Sequence, residues 1–314
     1  MSTPRQDEIL ARLRGEGSDR WTVPDDYATN LRAELEADLA PLRPLISNPI
    51  WVGKSKLDYV HQCERLAVEQ DKAGFADNAA ATVGTVVHRA LSSRWGMREQ
   101  LSPAGLVDRA IDQIAKDQKG PAQFLAELGD AELAEIRGES TNQVTHYLDT
   151  FPELLRDIWR PRVEATLKAE LADGAIQLSG RPDLAIGQPN GKTAGTLIIE
   201  FKTGRFSPRY IDELRFYALL ETLRCGVPPF RIAAISLASG DIQTEDIADA
   251  VLRATARRLV DGIEKLVNLA AGDQPTETPG SQCHFCPASD NCLTGKRWLA
   301  GGEADDYDLY LLRK

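Results

Sequence analysis

Leu31, Leu35, Leu39 and Leu42 recur at helical spacing between Asp26 and Leu42, which predicts an amphipathic helix. Pro44 and Pro49 break the pattern, because proline lacks an amide donor and restricts the residue before it. With the charged stretch ahead of it, residues 1–50 read as a helical N-terminal arm. Residues 51–160 keep a helical period, with helices expected over Ser55–Glu69, Thr82–Arg98, Pro103–Lys116, Pro121–Leu128 and Ala131–Thr150. Ser55 and Ser102 stand where N-caps belong, since a hydroxyl can accept from the first free amides of a helix.

The period changes near Arg162. Val163–Leu171 alternates like a half-buried strand, Asp173-Gly174 is a hairpin-turn signal, and Ala175–Leu178 and Leu184–Ile186 continue as strand. After a turn at Pro189-Asn190-Gly191 comes the apolar run Leu197-Ile-Ile-Glu-Phe201. A helix over Tyr210–Leu223, a strand over Arg231–Leu237 and a long helix over Glu245–Ala271 complete residues 161–272. Strands followed by alternating helix and strand predict an α/β core with a mixed sheet. Residues 273–314 are polar, turn-rich and cysteine-bearing, and 305–314 read as a mobile end.

Composition narrows the class. The chain has 314 residues, enough for one large domain or two smaller ones. Its 42% hydrophobic and 27% charged residues are ordinary globular values and exclude a disordered or fibrous chain. The net charge of −10 excludes a general polyanion binder. Contact with nucleic acid then requires a local basic groove, or metal ions that offset the carboxylates. The start lacks the shape of a signal peptide and no stretch reaches the roughly 18 apolar residues of a membrane span. A cytoplasmic protein with no membrane partner is expected. Its five cysteines then point to metal or redox chemistry rather than disulfides.

Glu200 closes an apolar run, where an acid is costly unless a cation or donors compensate it. On a strand, Glu200 and Lys202 point to one face, and Asp183 lies beside a turn on the neighbouring hairpin strand. Two carboxylates and a lysine can thus converge at one end of the sheet. Such a trio suits phosphodiester hydrolysis: the carboxylates hold Mg²⁺ or Mn²⁺, which polarises a phosphate and activates a water, and the lysine steadies that water or the developing charge. The bland alternative is a surface hairpin with an ordinary Glu–Lys pair. From Phe201 to Arg231 six basic residues stand against three acidic ones. Arg205, Arg209 and Tyr210 in that stretch can grip phosphates and stack on bases, the alternative being a solvated helix face. Gly53-Lys54-Ser55 and Gly187–Thr193 lack the strand–loop–helix setting of a phosphate-binding loop and read as caps or turns.

The pattern Gly180-Arg-Pro-Asp183, then Ile199-Glu-Phe-Lys-Thr-Gly204, resembles the signature of the PD-(D/E)XK nuclease superfamily, and more narrowly its RecB-like exonuclease branch. Gly84-Thr-Val-Val-His88-Arg-Ala-Leu91 is similar to the branch's upstream helix, which implies His88 as a further metal ligand beside Asp183, Glu200 and the main-chain carbonyl of Phe201. The branch's Gln-x-x-x-Tyr helix corresponds to Glu213-Leu-Arg-Phe-Tyr217, with Glu213 in place of glutamine. The resemblance implies a restriction-endonuclease-like core and catalytic roles for Asp183, Glu200, Lys202, Glu213 and Tyr217. It also implies single-stranded DNA or DNA ends as substrate.

Cys283-His-Phe-Cys286-Pro-Ala-Ser-Asp-Asn-Cys292 can wrap one inorganic centre, with Cys63 or Cys225 as fourth ligand. The layout of Cys63, Cys283, Cys286 and Cys292 resembles the iron–sulfur members of the branch, CRISPR-associated exonucleases among them. It implies a [4Fe–4S] cluster that forms a C-terminal clasp. Structural Zn²⁺ on the same thiolates, or with His61 or His284 replacing one, is the alternative. Cys225 then reads as a small buried residue. The expectation is a metal-dependent DNA exonuclease, with protein partners in repair, CRISPR adaptation or phage defence left open. A non-catalytic DNA-end-binding or complex-assembly module of the same fold is the rival.

Overall fold

The computed structural model describes residues 3–15, 19–74, 77–95, 101–117, 120–151, 159–204, 207 and 209–301. Two units divide the chain, one of residues 1–33, 77–169 and 179–255, the other of residues 34–76, 170–178 and 256–314. The chain passes between them within α2 (Tyr27–Leu39), β3 (Leu167–Leu171), β4 (Ile176–Gly180) and α10 (Asp249–Ala271).

In the first unit, α5 (Ala79–Arg94), α6 (Pro103–Lys116), α7 (Pro121–Glu127) and α8 (Asp130–Thr150) follow the helical periods of the sequence closely. Ser102 caps α6 by accepting from the Gly105 amide, and Asn78 caps α5 through Ala81. The predicted helix over Thr82–Arg98 stops at Arg94, and residues 96–98 lie outside the described residues. α1 (Pro4–Arg14) was not individually legible; Thr3 and Gln6 bond reciprocally to each other's backbone and start it.

Five strands form a mixed sheet in the order β2-β5-β6-β7-β8, namely Arg162–Val163, Leu184–Ile186, Leu197–Lys202, Arg231–Ser236 and Ile242–Asp246. β5 and β6 are antiparallel, β6 and β7 parallel, β7 and β8 antiparallel. Leu197, Ile199 and Phe201 of β6 face a core shared with Val86, Val87 and Ala90 of α5 and Val144 of α8. Phe201 meets the rings of Tyr147 and Phe151 edge-on at 5.1 and 5.4 Å. The alternate positions of β6, Glu200 and Lys202 among them, point to the other face, where α9 (Arg209–Cys225) lies. From Phe216 to Leu223 every residue of α9 is buried, as expected of a helix covered on all sides.

The second unit contains α3 (Lys54–Gln62), α4 (Glu64–Ala73), β1 (Ile50–Val52) and α11 (Leu293–Gly301). β1 pairs in parallel with β4, Ile50 opposite Ile176. Among the described residues no helix is long and apolar enough to cross a membrane.

Several expectations are corrected. The helix over Ser55–Glu69 is two helices, broken at Cys63, whose backbone is extended at φ −168° and ψ 123°. The break loses little, because the Cys63 amide donates to the Tyr59 carbonyl while its own carbonyl accepts from the Ala67 amide. Ser55 is not the cap; Gly53 holds that position. The strand over Val163–Leu171 is interrupted by Glu164, at φ 45°, whose amide donates to the Asp183 carbonyl, so β2 and β3 join different sheets. The helix assigned from Glu245 begins at Asp249, because 242–246 is an edge strand whose Glu245 binds the Arg215 guanidinium. The helix over Asp26–Leu42 ends at Leu39 in a 3₁₀ turn over Ala40–Leu45. Cys225 is exposed rather than buried.

Glu221 of α9 is 1% exposed and is held by the guanidiniums of Arg162, at 2.5 Å, and Arg224, at 2.9 Å. Burial pushes its carboxyl up, but the two arginines outweigh burial and hold it below the ordinary carboxylate range. A lowered folded-state value contributes stability above the ordinary carboxylate value, lost as pH falls through the folded one. Arg162→Met should therefore destabilise the fold by about 2 kcal/mol at neutral pH, since Arg224 remains as a partner. The gap to the parent should narrow at about pH 3. Urea unfolding at both pH values measures it, and a gap independent of pH would refute the assignment.

Candidate active site

The β5–β6 register brings the acids together. Leu184 lies opposite Ile199, which sets Asp183 beside Glu200. The Phe201 amide donates to Asp183 Oδ2 at 2.7 Å, and the Asp183 amide to Glu200 Oε2 at 3.4 Å. Asp183 Oδ1 lies 2.9 Å from His88 Nδ1 of α5. Burial would lower the His88 value, but the Asp183 carboxylate, aided by Glu200, outweighs it and holds the imidazole above its ordinary value. A proton on Nδ1 directed at Asp183 leaves Nε2 as the lone-pair nitrogen of the neutral ring.

Lys202 Nζ sits 3.5 Å from Glu200 Oε1 and 2.7 Å from Glu213 Oε2. It also lies 4.3 Å from the Tyr210 ring centroid, a cation–π contact. Glu200 is 5% exposed and lies in an otherwise apolar strand. The ammonium group and the Asp183 amide supply the compensation that a buried carboxylate requires.

Tyr217, one helical turn beyond Glu213, is buried and donates to the Arg181 carbonyl at 3.3 Å. It thus tethers the Gly180–Asp183 segment to α9. Gly180 is required by that packing, since a Cβ there would stand 2.5 Å from Tyr217 Cε1. At Gly84 of α5 the approach is less strict: a Cβ would stand 3.3 Å from Thr203 Oγ1, a tight contact that a small shift of that hydroxyl relieves. Thr203 was not singled out from the sequence, because the approach of α5 to the end of β6 has no local signature.

Of the expected nucleic-acid contacts, Arg209 is exposed on the first turn of α9, Tyr210 borders Lys202, and Arg205 lies outside the described residues. Arg215 and Arg224 are engaged by Glu245, Asp212 and Glu221, so they fit the solvated-face reading of that stretch.

Among the described residues no three His, Cys, Asp or Glu side chains are already arranged as a metal cage. At the β6 end the donors are nonetheless a set suited to a hard divalent ion: two carboxylates, an imidazole, and the backbone of Phe201, whose side chain turns into the core. The carboxylate oxygens are held by internal donors that such an ion can replace.

In the second unit, Cys63, Cys283, Cys286 and Cys292 line one cavity of about 20 Å³; Cys225 is not among its lining residues. The segment around Thr276 brings them together. Its amide donates to Glu64, and its carbonyl accepts from the Arg65 amide and lies 3.7 Å from Cys63 Sγ. Cys292 Sγ accepts from the Gly295 amide at 3.3 Å, and a Cβ on Gly295 would touch the sulfurs of both Cys283 and Cys292. Burial, reinforced by the neighbouring thiols, pushes Cys283 and Cys286 above the ordinary thiol value. Sulfurs of four cysteines on one cavity are a donor set that fits a thiolate-bound centre, whose cation offsets the charge of the thiolates. Neither alternative histidine lines the cavity: His61 Nε2 is 2.9 Å from the Arg258 carbonyl, and His284 packs edge-on against Trp298.

A model of the PD-(D/E)XK nuclease superfamily matches residues 54–293. A crystal structure from Eubacterium rectale, provisionally named an exonuclease, is similar over 88% of this chain and 93% of its own, at 13% identity and a TM-score of 0.44. The crystal structure of SSO0001 is similar over 77% of this chain and 95% of its own, at 16% identity and a TM-score of 0.33. No curated protein matches the chain.

If Gly180 serves to admit the Tyr217 ring, Gly180→Ala should destabilise by about 1–3 kcal/mol through overpacking. Tyr217→Phe, which removes only the hydroxyl, should cost about 1 kcal/mol. The double variant Gly180→Ala with Tyr217→Ala should lose less than the sum of the Gly180→Ala and Tyr217→Ala losses. Thermal denaturation of the single and double variants measures this, and strictly additive effects would exclude the packing role.

Proposed function

This chain belongs to the PD-(D/E)XK nuclease superfamily, and we propose that it is a metal-dependent DNA exonuclease of the RecB-like branch, acting on single strands or DNA ends. The observation that carries the reading is the convergence of His88, Asp183, Glu200, Lys202 and Glu213 at one end of β6. Asp183, Glu200, His88 and the Phe201 carbonyl would hold Mg²⁺ or Mn²⁺. The bound ion would polarise the scissile phosphate and lower the pKa of the attacking water.

The chain's own residues do the rest. Lys202 Nζ, fixed between two carboxylates, donates toward the attacking water or a non-bridging phosphate oxygen, where charge develops. Glu213 and Tyr210 orient that ammonium group, and glutamate keeps the acceptor that glutamine would supply. Tyr217 is a positioning residue that acts through the Arg181 carbonyl on the strand leading to Asp183. Arg205, Arg209 and Tyr210 would receive the DNA backbone and bases.

Cys63, Cys283, Cys286 and Cys292 would hold a [4Fe–4S] cluster as a structural clasp. The shared cavity supports four cysteine ligands, and the engaged His61 and His284 weaken the alternative of zinc with a histidine in place of one thiolate.

Wild type should degrade end-labelled single strands with Mn²⁺, and comparison of 5′ and 3′ labels gives the polarity. Lys202→Ala should lose on the order of 10²–10³-fold in rate while still binding the strand. Undiminished binding without degradation by wild type would favour the non-catalytic DNA-end module. Iron and acid-labile sulfide should accompany the purified protein, and Cys63→Ser should lose both together with thermal stability. Stoichiometric zinc in an anaerobic, colourless preparation would decide against the cluster.

A further inference from the structure

The first unit contains a second concave site, at the opposite end of β6 from Glu200 and Lys202. Leu13 of α1, Ile186 at the end of β5 and Leu197 at the start of β6 give it an apolar floor. The cavity holds about 150 Å³, the size of an engineered apolar cavity known to accept one benzene-like ring. Two aromatic residues border it, each with an arginine on its face. Arg14 stacks 5.2 Å from the Trp159 centroid and Arg20 stacks 3.1 Å from that of Phe230. Arg20 also donates to the Arg14 carbonyl at 2.9 Å, so the two guanidinium-bearing segments are tied together. The charged residues among those lining the pocket are these two arginines, in a chain of net charge −10.

We propose that this pocket takes one unpaired nucleotide of the DNA strand, its base against the apolar floor and aromatic rim and its phosphate on Arg14 and Arg20. The proposal rests on the reading of the chain as a DNA nuclease and adds a second strand contact to it. A planar ring is the shape that the volume admits, and guanidiniums lining the pocket suit a phosphate. Partial burial and the nearby Arg231 hold Arg20 below the usual arginine value, with Asp246 opposing; a bound phosphate relieves that crowding. Arg231 reaches this position beneath Gly15, at φ 66°, where a Cβ would stand 2.6–2.8 Å from its guanidinium. Between Leu197 and Lys202 the strand rises five residues, about 17 Å, and the two side chains lie on opposite faces of the sheet, so about 17 Å is the shortest path a bound strand could take. At duplex spacing that path is at least about five nucleotides, and at least about two to three for a fully stretched strand.

The test uses full-length protein and thymidylate strands of about 20 and about two nucleotides, the shorter unable to reach both sites, bound in EDTA and then cut in Mn²⁺. Arg14→Gln and Arg20→Gln should each weaken the longer strand about tenfold and reduce the salt slope by about one. KM for that strand should rise with kcat unchanged, while the short strand is bound and cut as by wild type. Trp159→Phe should retain most of the affinity that Trp159→Ala loses. Unchanged affinity and salt slope in both arginine variants, with wild type cutting normally, would overturn the pocket. Thymidine monophosphate competing as well as the long strand would also overturn it, in favour of a free-nucleotide site. If wild type binds with the predicted length and arginine dependence yet cuts nothing, the pocket stands and the nuclease reading falls.

Discussion

The pairing of Leu184 with Ile199 fixes the relation between the two acids. Both residues are fully buried, and their antiparallel register sets Asp183 against Glu200. A slip of one residue would turn every side chain of β5 to the other face, burying what now faces the site and exposing what now packs against α5. The apolar residues thus determine where the carboxylates stand, and the carboxylates in turn are stable only with their donors. Glu200 relies on Lys202 and the Asp183 amide, Asp183 on His88 and the Phe201 amide. Removing one member leaves another buried and uncompensated, so the chemistry and the stability of this end of the sheet are coupled.

What could be read from the chain beforehand was local or strongly periodic. The apolar run 197–199 ending in an acid, the turn-bounded hairpin and the helix carrying Glu213 and Tyr217 all show in residue order. The placement of His88 against Asp183 does not, because a helix period says which face a histidine occupies and not what that face meets; only the family resemblance suggested it. Gly180 was legible as a motif letter, but the reason for it lies in Tyr217, which is distant in sequence. Glu164 escaped for the opposite reason. Its alternation with neighbours is intact, and only a positive φ, invisible in composition, breaks the strand. The strand 242–246 was missed, its last two residues being taken into the following helix, because its acids and threonine have no strong preference once the apolar signal thins.

The two polar clusters follow one rule in different chemical form. At the β6 end, carboxylates gather and are balanced by an ammonium and an imidazole; in the second unit, four thiols line one cavity, and burial pushes Cys283 and Cys286 above the ordinary thiol value. Each arrangement brings like groups closer than their charged forms tolerate unaided. The bonds of Thr276 to the start of α4, one to the Arg65 amide and one to the Glu64 carboxylate, and the extended conformation of Cys63 help to hold the thiols in place. That is why a cysteine far upstream in sequence lies among three near the other end.

The division of the chain also orders events during its synthesis. Every segment of the first unit has emerged once residue 255 is made, whereas the last thiol follows at Cys292. Seventy-nine residues separate Glu213 from Cys292, or about 4–16 s of translation at common rates. During that interval the nascent chain carries all the acids of the β6 end but an incomplete thiol set, so the thiol cluster is the later of the two to be completed.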